Sequence, residues 1–273
     1  MAKETISAKD ARNAAAAARA EAKAAEQARE RKVRIIGGLV VLLVMGGLLA
    51  IPLIAGKNKG PDTNASAAVP LGVTKDTYGV KVGSAWTAPN ADKIPLLQIW
   101  EDFQCPACAQ LEVNSGAAIN KLVDAGSVRL ELRPTIFLDD KLRGQNVTAG
   151  NPDSSKAATM AFGCAVDAGK GKDFHSGVFA NQPPTEGQGF STALLTQLAQ
   201  KTGITGADLT TFSDCLSNRK YEGWVNNSFD RFSKEGVTST PSGILNGKEL
   251  TGEQLFNPDE LTKLVLAAGK TSK

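Results

Sequence analysis

Two cysteines separated by two residues are the part of this chain best suited to chemistry. They belong to the stretch WEDFQCPAC at residues 100–108, which follows a short apolar run and begins an amphipathic one. A Cys-x-x-Cys pair between a strand and a helix is typical of a redox-active dithiol. The unpaired N–H groups of the first helical turn and the positive end of the helix dipole favour a thiolate there. The spacing predicts that Cys105 is the nucleophile and that Cys108 is the more buried resolving thiol.

The elements that must hold this pair can be placed from hydrophobic periodicity. Residues 94–100 are mostly apolar and predict a buried central strand. A helix should begin at Pro106, because proline suits the first helical turn, and should end near Gly126. Residues 128–132 alternate apolar with charged side chains, and residues 136–138 extend this second strand. Strand, helix and strand in this order imply a parallel pair, with the cysteines at the carboxyl end of a strand.

Composition limits the possible functions. The chain has 273 residues, a net charge of +3 and 42% hydrophobic residues, which suits one core with appendages. Its basic residues form no stripe outside the N-terminus, so nucleic-acid binding is not expected. With four cysteines and a single histidine, His175, there is little material for a metal site or a histidine-based triad, and no metal or cofactor is expected. We interpret His175 as a surface or packing residue.

The N-terminal part predicts a membrane anchor. Residues 1–34 form a charged arm, and the uncharged run at 35–56 is long enough to cross a bilayer as one helix. The positive residues before that run place the N-terminus in the cytoplasm and the C-terminal domain outside it. A cleaved signal peptide is the alternative, with Ala65-Ser66-Ala67 as a site of suitable composition. Residues 57–78 are interpreted as a flexible tether, and residues 79–273 as the extracytoplasmic domain.

The second half of the chain predicts helices and then a hairpin. Residues 139–151 are polar and are expected to form a loop, and a helical insertion is expected at about 152–220, followed by a helix at 221–234. Asn246-Gly247 between short apolar runs predicts a β-hairpin of residues 242–245 and 248–250. A final helix should begin at Asn257-Pro258.

This order of elements resembles the thioredoxin fold. A strand that ends in Cys-x-x-Cys, a helix, a strand, a helical insert, a Thr-Pro dipeptide before a hairpin and a closing helix occur in that order over about residues 81–270. The stretch from Glu101 to Cys108 and the insert resemble DsbA-like thiol-disulfide oxidoreductases in their membrane-anchored bacterial form. The expected fold is therefore α/β, a thioredoxin fold with an inserted helical domain, preceded by a single transmembrane helix.

The resemblance also implies roles for individual residues. Pro241 would be a cis proline that faces the cysteines, and Thr240 would present backbone groups to a bound peptide; an ordinary trans turn proline is the alternative. Members of the family commonly have a buried carboxylate six residues before the first cysteine, where this chain has Ile99. The nearest acids, Glu101 and Asp102, are either site residues or surface charges.

The residue before the second cysteine is a further departure. The best-known oxidant of the family has a histidine there, and this chain has Ala107, which should stabilise the Cys105 thiolate less.

The other two cysteines, Cys164 and Cys215, lie in different segments of the predicted insert. In an exported domain they are expected to form a structural disulfide that pins the insert. A zinc site that also includes Cys105 and Cys108 is the alternative, but it would quench the redox chemistry.

These observations predict an extracytoplasmic enzyme that donates disulfide bonds to exported proteins through Cys105 and Cys108. Its expected partners are reduced exported proteins and, by resemblance, a quinone-linked membrane protein that reoxidises it. It is expected in the cell membrane as a single-pass protein. A disulfide isomerase or reductase on the same fold is one alternative. A peptide-binding or chaperone-like module, in which the cysteines are only structural, is the other.

Overall fold

The computed structural model describes residues 63–271, and all structural statements below concern this part of the chain. The predicted arm and membrane anchor at 1–56 lie outside it. Within 63–271 no helix has both the length and the apolar content needed to cross a membrane.

Five strands form one mixed sheet. They are β1 (Val80–Val82), β2 (Leu96–Glu101), β3 (Arg129–Pro134), β4 (Ser242–Leu245) and β5 (Lys248–Glu249). Their order across the sheet is β1-β3-β2-β4-β5, with β2 and β3 parallel and every other pair antiparallel. The predicted parallel pair is confirmed, and it places β2 at the centre of the sheet. The short strand β1 was not predicted.

Strand β2 is central because both of its faces are apolar. Leu97, Ile99 and Trp100 are at most 1% exposed, as expected for a strand that is covered on both sides. Its neighbours hold it in register, with Ile99 opposite Leu132 of β3 and opposite Gly243 of β4. This register fixes the point at which β2 ends and the cysteine stretch begins.

The helix after β2 has three parts. It begins as α1 (Pro106–Leu111), continues through a π-helical turn (Glu112–Gly116) and ends as α2 (Ala117–Asp124). A π-helical turn adds one residue to a helical turn and often marks a functional site. Chain reversal after α2 uses Gly126, whose φ of 63° is the left-handed conformation that glycine adopts easily.

A block of helices separates β3 from β4. Its members are α3 (Phe137–Lys141), α4 (Arg143–Thr148), α5 (Ser154–Asp167), α6 (Gly171–Ala180), α7 (Thr192–Lys201), α8 (Gly206–Ser217) and α9 (Glu222–Lys234). The helical insert that was expected at about 152–220 therefore begins earlier and runs into α9. Two predictions are wrong: residues 136–138 do not extend β3, and residues 139–151 are two short helices rather than a loop.

Those two helices were missed because tertiary contacts stabilise them. The side chain of Asp139 accepts hydrogen bonds from the backbone N–H groups of Ser155 and Lys156 at 2.7 and 2.9 Å. Asn146 is fully buried, and its side chain donates to the Gly187 carbonyl at 2.9 Å. Buried polar side chains of this kind leave no apolar periodicity in the sequence.

The described part of the predicted tether is not free of the domain. Asn64 exchanges two hydrogen bonds with the side chain of Asn227, at 2.8 and 2.9 Å. A Cβ atom on Gly163 would lie 2.9 Å from Pro70, so this glycine lets residue 70 approach α5 closely. Residues 63–78 therefore pack on the helical block, and the expectation of a flexible tether is wrong for them, because Asn-mediated contacts replace apolar periodicity.

The chain closes with a hairpin and two helices. Asn246 and Gly247, with φ of 48° and 79°, connect β4 to β5 as the Asn-Gly signal predicts. A short helix that was not predicted, α10 (Gly252–Phe256), precedes the closing helix α11 (Pro258–Thr271). α11 packs against α2.

Candidate active site

The cysteine pair lies where β2 ends and α1 begins. Cys105 is the N-cap of α1, with extended backbone angles, and Pro106 is the first helical residue. A turn closed by the Cys105 N–H and the Asp102 carbonyl, at 2.9 Å, joins the strand to the helix. Pro106 and Ala107 are exposed, so the pair faces solvent through these two residues.

The two sulfurs have different surroundings. Cys105 is 7% exposed and Cys108 is fully buried, and both are free thiols in this structure. The hydrogen bond from Cys108 lowers the pKa of Cys105 to about 7, against the opposing effect of burial and with help from Thr240 and the N–H groups of Cys108 and Ala107. Burial first, and then the negative charges of Cys105 and Glu101, raise the pKa of Cys108 well above its ordinary value. Near neutral pH, Cys105 is the nucleophile and Cys108 is a neutral thiol.

The loop before β4 forms the opposite wall of the site. The Thr240–Pro241 peptide bond is cis. The Cys105 thiol donates to the Thr240 carbonyl, with 3.4 Å between Sγ and the oxygen. The structure thus brings together Cys105, Cys108, Thr240 and Pro241, which are distant in sequence.

A residue of the helical block also contacts this site. The side-chain amide of Gln182 donates to the carbonyls of Phe103 and Cys105, at 2.8 and 3.1 Å. Gln182 and Pro106 both line a groove of about 350 Å³ beside the cysteine pair. The sequence analysis missed Gln182, because a glutamine in a loop has no pattern that indicates its partner.

Asp102 is buried rather than a surface charge. It accepts hydrogen bonds from the backbone N–H groups of Gln104 and Leu138 at 2.9 and 3.0 Å and from the Ser155 hydroxyl at 2.6 Å. Burial raises its pKa to about 8, although these donors oppose the change. Gln104 in turn donates to Asp139 at 2.9 Å, which extends the network to α3. The active-site turn is therefore bonded to the helical block through buried polar groups.

Glu101 and His175 are also buried, and they form an ion pair with 2.9 Å between His175 Nε2 and Glu101 Oε2. The interpretation of His175 as a surface residue is wrong, and its packing role is only part of its environment. Glu112 lies nearby, and ligand atoms of the three residues lie within 4.8 Å of one another. Such a spacing could hold a metal ion, but the Glu101–His175 hydrogen bond already uses two of these atoms. We therefore describe the group as a hydrogen-bonded charge cluster and do not assign it as a set of metal ligands.

Helical spacing could have revealed Glu112. It follows Cys108 by four residues, so the two side chains lie on the same side of the helix. The single histidine on an otherwise apolar helix face was the second available signal.

The remaining cysteines lie in the helical block. Cys164 of α5 and Cys215 of α8 form a disulfide with their Cα atoms 6.0 Å apart. In this structure the four cysteines are thus one disulfide in the block and one free pair at the end of β2.

Comparison with known proteins agrees with this geometry. The protein-family model described as Thioredoxin matches residues 88–266, more than half of the chain. A search of curated proteins finds no match.

Solved structures are similar over most of the described chain. Oxidised DsbA from Mycobacterium tuberculosis is 27% identical, with a TM-score of 0.56, and the alignment covers 71% of this chain and 100% of that one. MdbA from Actinomyces oris, a thiol-disulfide oxidoreductase, is 23% identical, with a TM-score of 0.60 and coverage of 77% and 97%. BdbD from Bacillus subtilis is 21% identical, with a TM-score of 0.56 and coverage of 76% and 100%. At these identities the last two show a common fold.

Cys105 at the start of α1, the second cysteine one turn later, the cis proline opposite and the family match are mutually consistent. The chain therefore belongs to the thioredoxin family, as a DsbA-like protein-disulfide oxidoreductase.

Proposed function

We propose that this protein donates disulfide bonds to exported proteins through the Cys105–Cys108 pair. The observation that carries the proposal is the difference between the two sulfurs. Cys105 has a pKa lowered to about 7, whereas the pKa of the buried Cys108 is raised. A stabilised Cys105 thiolate lowers the free energy of the reduced enzyme, and an enzyme that is stable when reduced is a good oxidant.

The reaction follows from this difference. A thiolate of the reduced client attacks Cys105 Sγ of the oxidised enzyme, the Cys105–Cys108 bond breaks, and Cys108 keeps the electron pair and takes up a proton. A second client thiolate then attacks the client sulfur of the mixed disulfide. Cys105 leaves as a thiolate, and the client gains one disulfide while the enzyme gains two electrons. A quinone-linked membrane protein would remove those electrons.

The groove beside the cysteines is suited to a client polypeptide. It contains Pro106 and Gln182 together with the apolar side chains of Phe179 and Phe190. An extended segment laid along it would bring a client cysteine next to Cys105. The Thr240 carbonyl already accepts a hydrogen bond from the Cys105 thiol, so the reacting sulfur is held at the wall of the groove.

The redox potential tests the direction of the reaction. Full-length protein in detergent is equilibrated with mixtures of reduced and oxidised glutathione, and the fraction of Cys105–Cys108 disulfide is measured after acid quenching. We expect a potential nearer the value of a strong oxidant, about −120 mV, than that of thioredoxin, about −270 mV. A thioredoxin-like value would favour a reductase, and an intermediate one an isomerase.

We also propose that residues 35–56 anchor the protein in the cell membrane, with residues 1–34 in the cytoplasm and the catalytic domain outside. A structural disulfide between Cys164 and Cys215 supports this, because such bonds persist in oxidising compartments. Protease added to intact protoplasts should remove the catalytic domain and leave the arm. Protection of the catalytic domain would contradict the topology.

A further inference from the structure

The charge cluster of Glu101, His175 and Glu112 takes no part in the reaction described so far. Its members come from three elements: the end of β2, α6 and the π-helical turn. The side chains of His175 and Glu101 are 7% and 5% exposed. Charged groups are buried at a large cost in free energy unless they are paired. Three ionisable groups at one buried place therefore call for an explanation.

One oxygen of the cluster has no partner. Glu101 Oε2 accepts from His175, but Oε1 is buried and makes no hydrogen bond within the described residues. A buried acceptor without a donor costs about 1–3 kcal/mol. Among the charges that act on Cys108, that of Glu101 contributes to the raised pKa of its thiol. Glu101 is thus electrostatically coupled to the sulfur that must gain and lose a proton in each cycle.

The cluster has an opening on the side away from the cysteines. A cavity of about 10 Å³ is lined by Glu112 and His175 and reaches Asn120 and Lys172. This volume is close to that of one water-sized probe. Lys172 is paired with Asp124 at the surface, 2.5 Å apart. A proton on Glu112 is therefore close to solvent.

Other neighbours of His175 are aromatic. The rings of Phe103, Phe162 and Phe179 lie 5.6, 5.6 and 5.0 Å from the imidazole, centroid to centroid. They enclose the imidazole in apolar surface, so protons can move along the carboxylates more easily than across the rings. A glycine helps to position the last member: a Cβ atom on Gly116 would lie 2.8 Å from Glu112 Oε2. The space beside Gly116 is the space that the carboxylate occupies.

We propose that His175 and Glu112 form a proton relay that connects Cys108, through Glu101, with solvent near Lys172. The inference rests on the proposed function, since it assigns the path of the proton in that reaction. When the enzyme disulfide opens, the Cys108 sulfur receives the electron pair of the broken bond and a proton from Glu101. His175 and Glu112 replace that proton from solvent.

Closing the disulfide reverses the path. The Cys108 thiol gives its proton to Glu101, and its sulfur attacks Cys105 Sγ in the mixed disulfide. The departing partner sulfur takes the electron pair of the broken bond and leaves as a thiolate. Glu101 and Cys108 exchange the proton directly, so Glu101 is the catalytic residue of the relay, and His175 and Glu112 are positioning residues that act through it.

The charges within the cluster agree with this role. Burial alone would lower the pKa of His175, but Glu101 and then Glu112 outweigh it, so the pKa of the imidazole is raised. Burial raises the pKa of Glu112 to about 7, with His175 opposing and Glu101 adding to the change. Both groups therefore exchange protons near neutral pH. The ionisable groups that face them are the two cysteines, Glu101 and Lys172.

The test is the rate of ring closure in single-turnover experiments. Reduced full-length protein in detergent is mixed with oxidised glutathione, and the mixed disulfide and the closed disulfide are separated by acid quenching and mass spectrometry. We expect closure at pH 7 to slow about 100-fold in Glu101→Gln and about 10-fold in His175→Gln and Glu112→Gln. In all three variants the pH profile should move to higher pH, because hydroxide must then remove the Cys108 proton.

Two further variants control for structural effects. Asp173→Asn removes an exposed charge from the same helix as His175 and should leave closure unchanged. Gly116→Ala keeps every charge but displaces the Glu112 carboxylate, and it should slow closure as Glu112→Gln does. Unchanged rates and pH profiles in folded His175→Gln and Glu112→Gln would overturn the relay. If the unmodified protein failed to close the ring, the relay and the proposed function would both fall.

A measurement on the unmodified protein does not depend on any variant. His175 is the single histidine of the chain, so its labelled imidazole gives an unambiguous NMR signal. Its titration midpoint should be higher in the reduced enzyme than in the oxidised one, because the Cys105 thiolate adds a nearby negative charge. Identical titrations in the two states would overturn the coupling. A shift of the signal by one equivalent of Zn²⁺ would overturn the relay in favour of a cation site.

Discussion

The two cysteine pairs of this chain occupy different kinds of surroundings. Cys105 and Cys108 are one helical turn apart, at the N-terminus of a helix and beside a groove. Cys164 and Cys215 are 51 residues apart and join the middle of two packed helices. The first pair is held by polar contacts that respond to charge, and the second by packing and the bond itself. The comparison teaches that position, rather than the thiol, decides whether a cysteine pair reacts or braces.

The most severe test of this difference is to remove one sulfur from each pair. Cys105→Ser should lower oxidation of a reduced model protein more than about a thousandfold, because no other group can form the mixed disulfide. Cys164→Ser should leave the rate per folded molecule within about twofold, since that sulfur does not contact the groove. Full oxidase activity in Cys105→Ala would instead favour a chaperone-like module.

Stability should show the opposite order. Replacing both Cys164 and Cys215 by alanine opens a loop of 51 residues, which should lower the free energy of unfolding by about 4 kcal/mol. In a domain of this size, the midpoint of thermal unfolding should fall by roughly 10 °C. Calorimetry of the disulfide and alanine forms measures this. An unchanged midpoint would show that the disulfide does not brace the helical block.

The polar network around Asp102 gives an intermediate effect. In Asp102→Asn the amide NH₂ group would face one of the donors from Gln104, Leu138 or Ser155. An unsatisfied buried donor should lower the free energy of unfolding by about 1–3 kcal/mol. Denaturant titration of the variant, with the exposed Asp173→Asn as control, measures the change. Equal stability of the two variants would contradict the buried network.

The smallest expected effect is in the pH dependence of alkylation. With a pKa of about 7, Cys105 is mostly thiolate above that pH and loses the thiolate as the pH falls through it. At pH 6 it should hold about 30-fold more thiolate than a free cysteine of pKa about 8.5. Lower nucleophilicity offsets part of this, so alkylation should be about 6-fold faster. Cys108→Ala, which removes the hydrogen bond, should raise the midpoint. A midpoint near 8.5 in the unmodified protein would remove the distinction between the two pairs.

Much of the fold could be predicted because its signals are local. The apolar run before the cysteines predicts a central strand, and the Asn-Gly dipeptide predicts the hairpin of Ser242–Leu245 and Lys248–Glu249. Helices α3 and α4 and the packed segment 63–78 could not be predicted in this way. Their stability comes from buried polar contacts, such as those of Asp139 and Asn64, with residues far along the chain.

The same distinction applies to the site. The sequence by itself determined the reactive pair, because Cys-Pro-x-Cys at a strand-to-helix junction is set by residues that are neighbours in the chain. Only the tertiary structure decided that Glu101 and Asp102 are buried, that His175 contacts Glu101 and that Gln182 reaches the cysteine turn. The physical reason is that burial and hydrogen-bond partners depend on how distant helices pack, and packing of polar side chains leaves no periodic signal in the sequence.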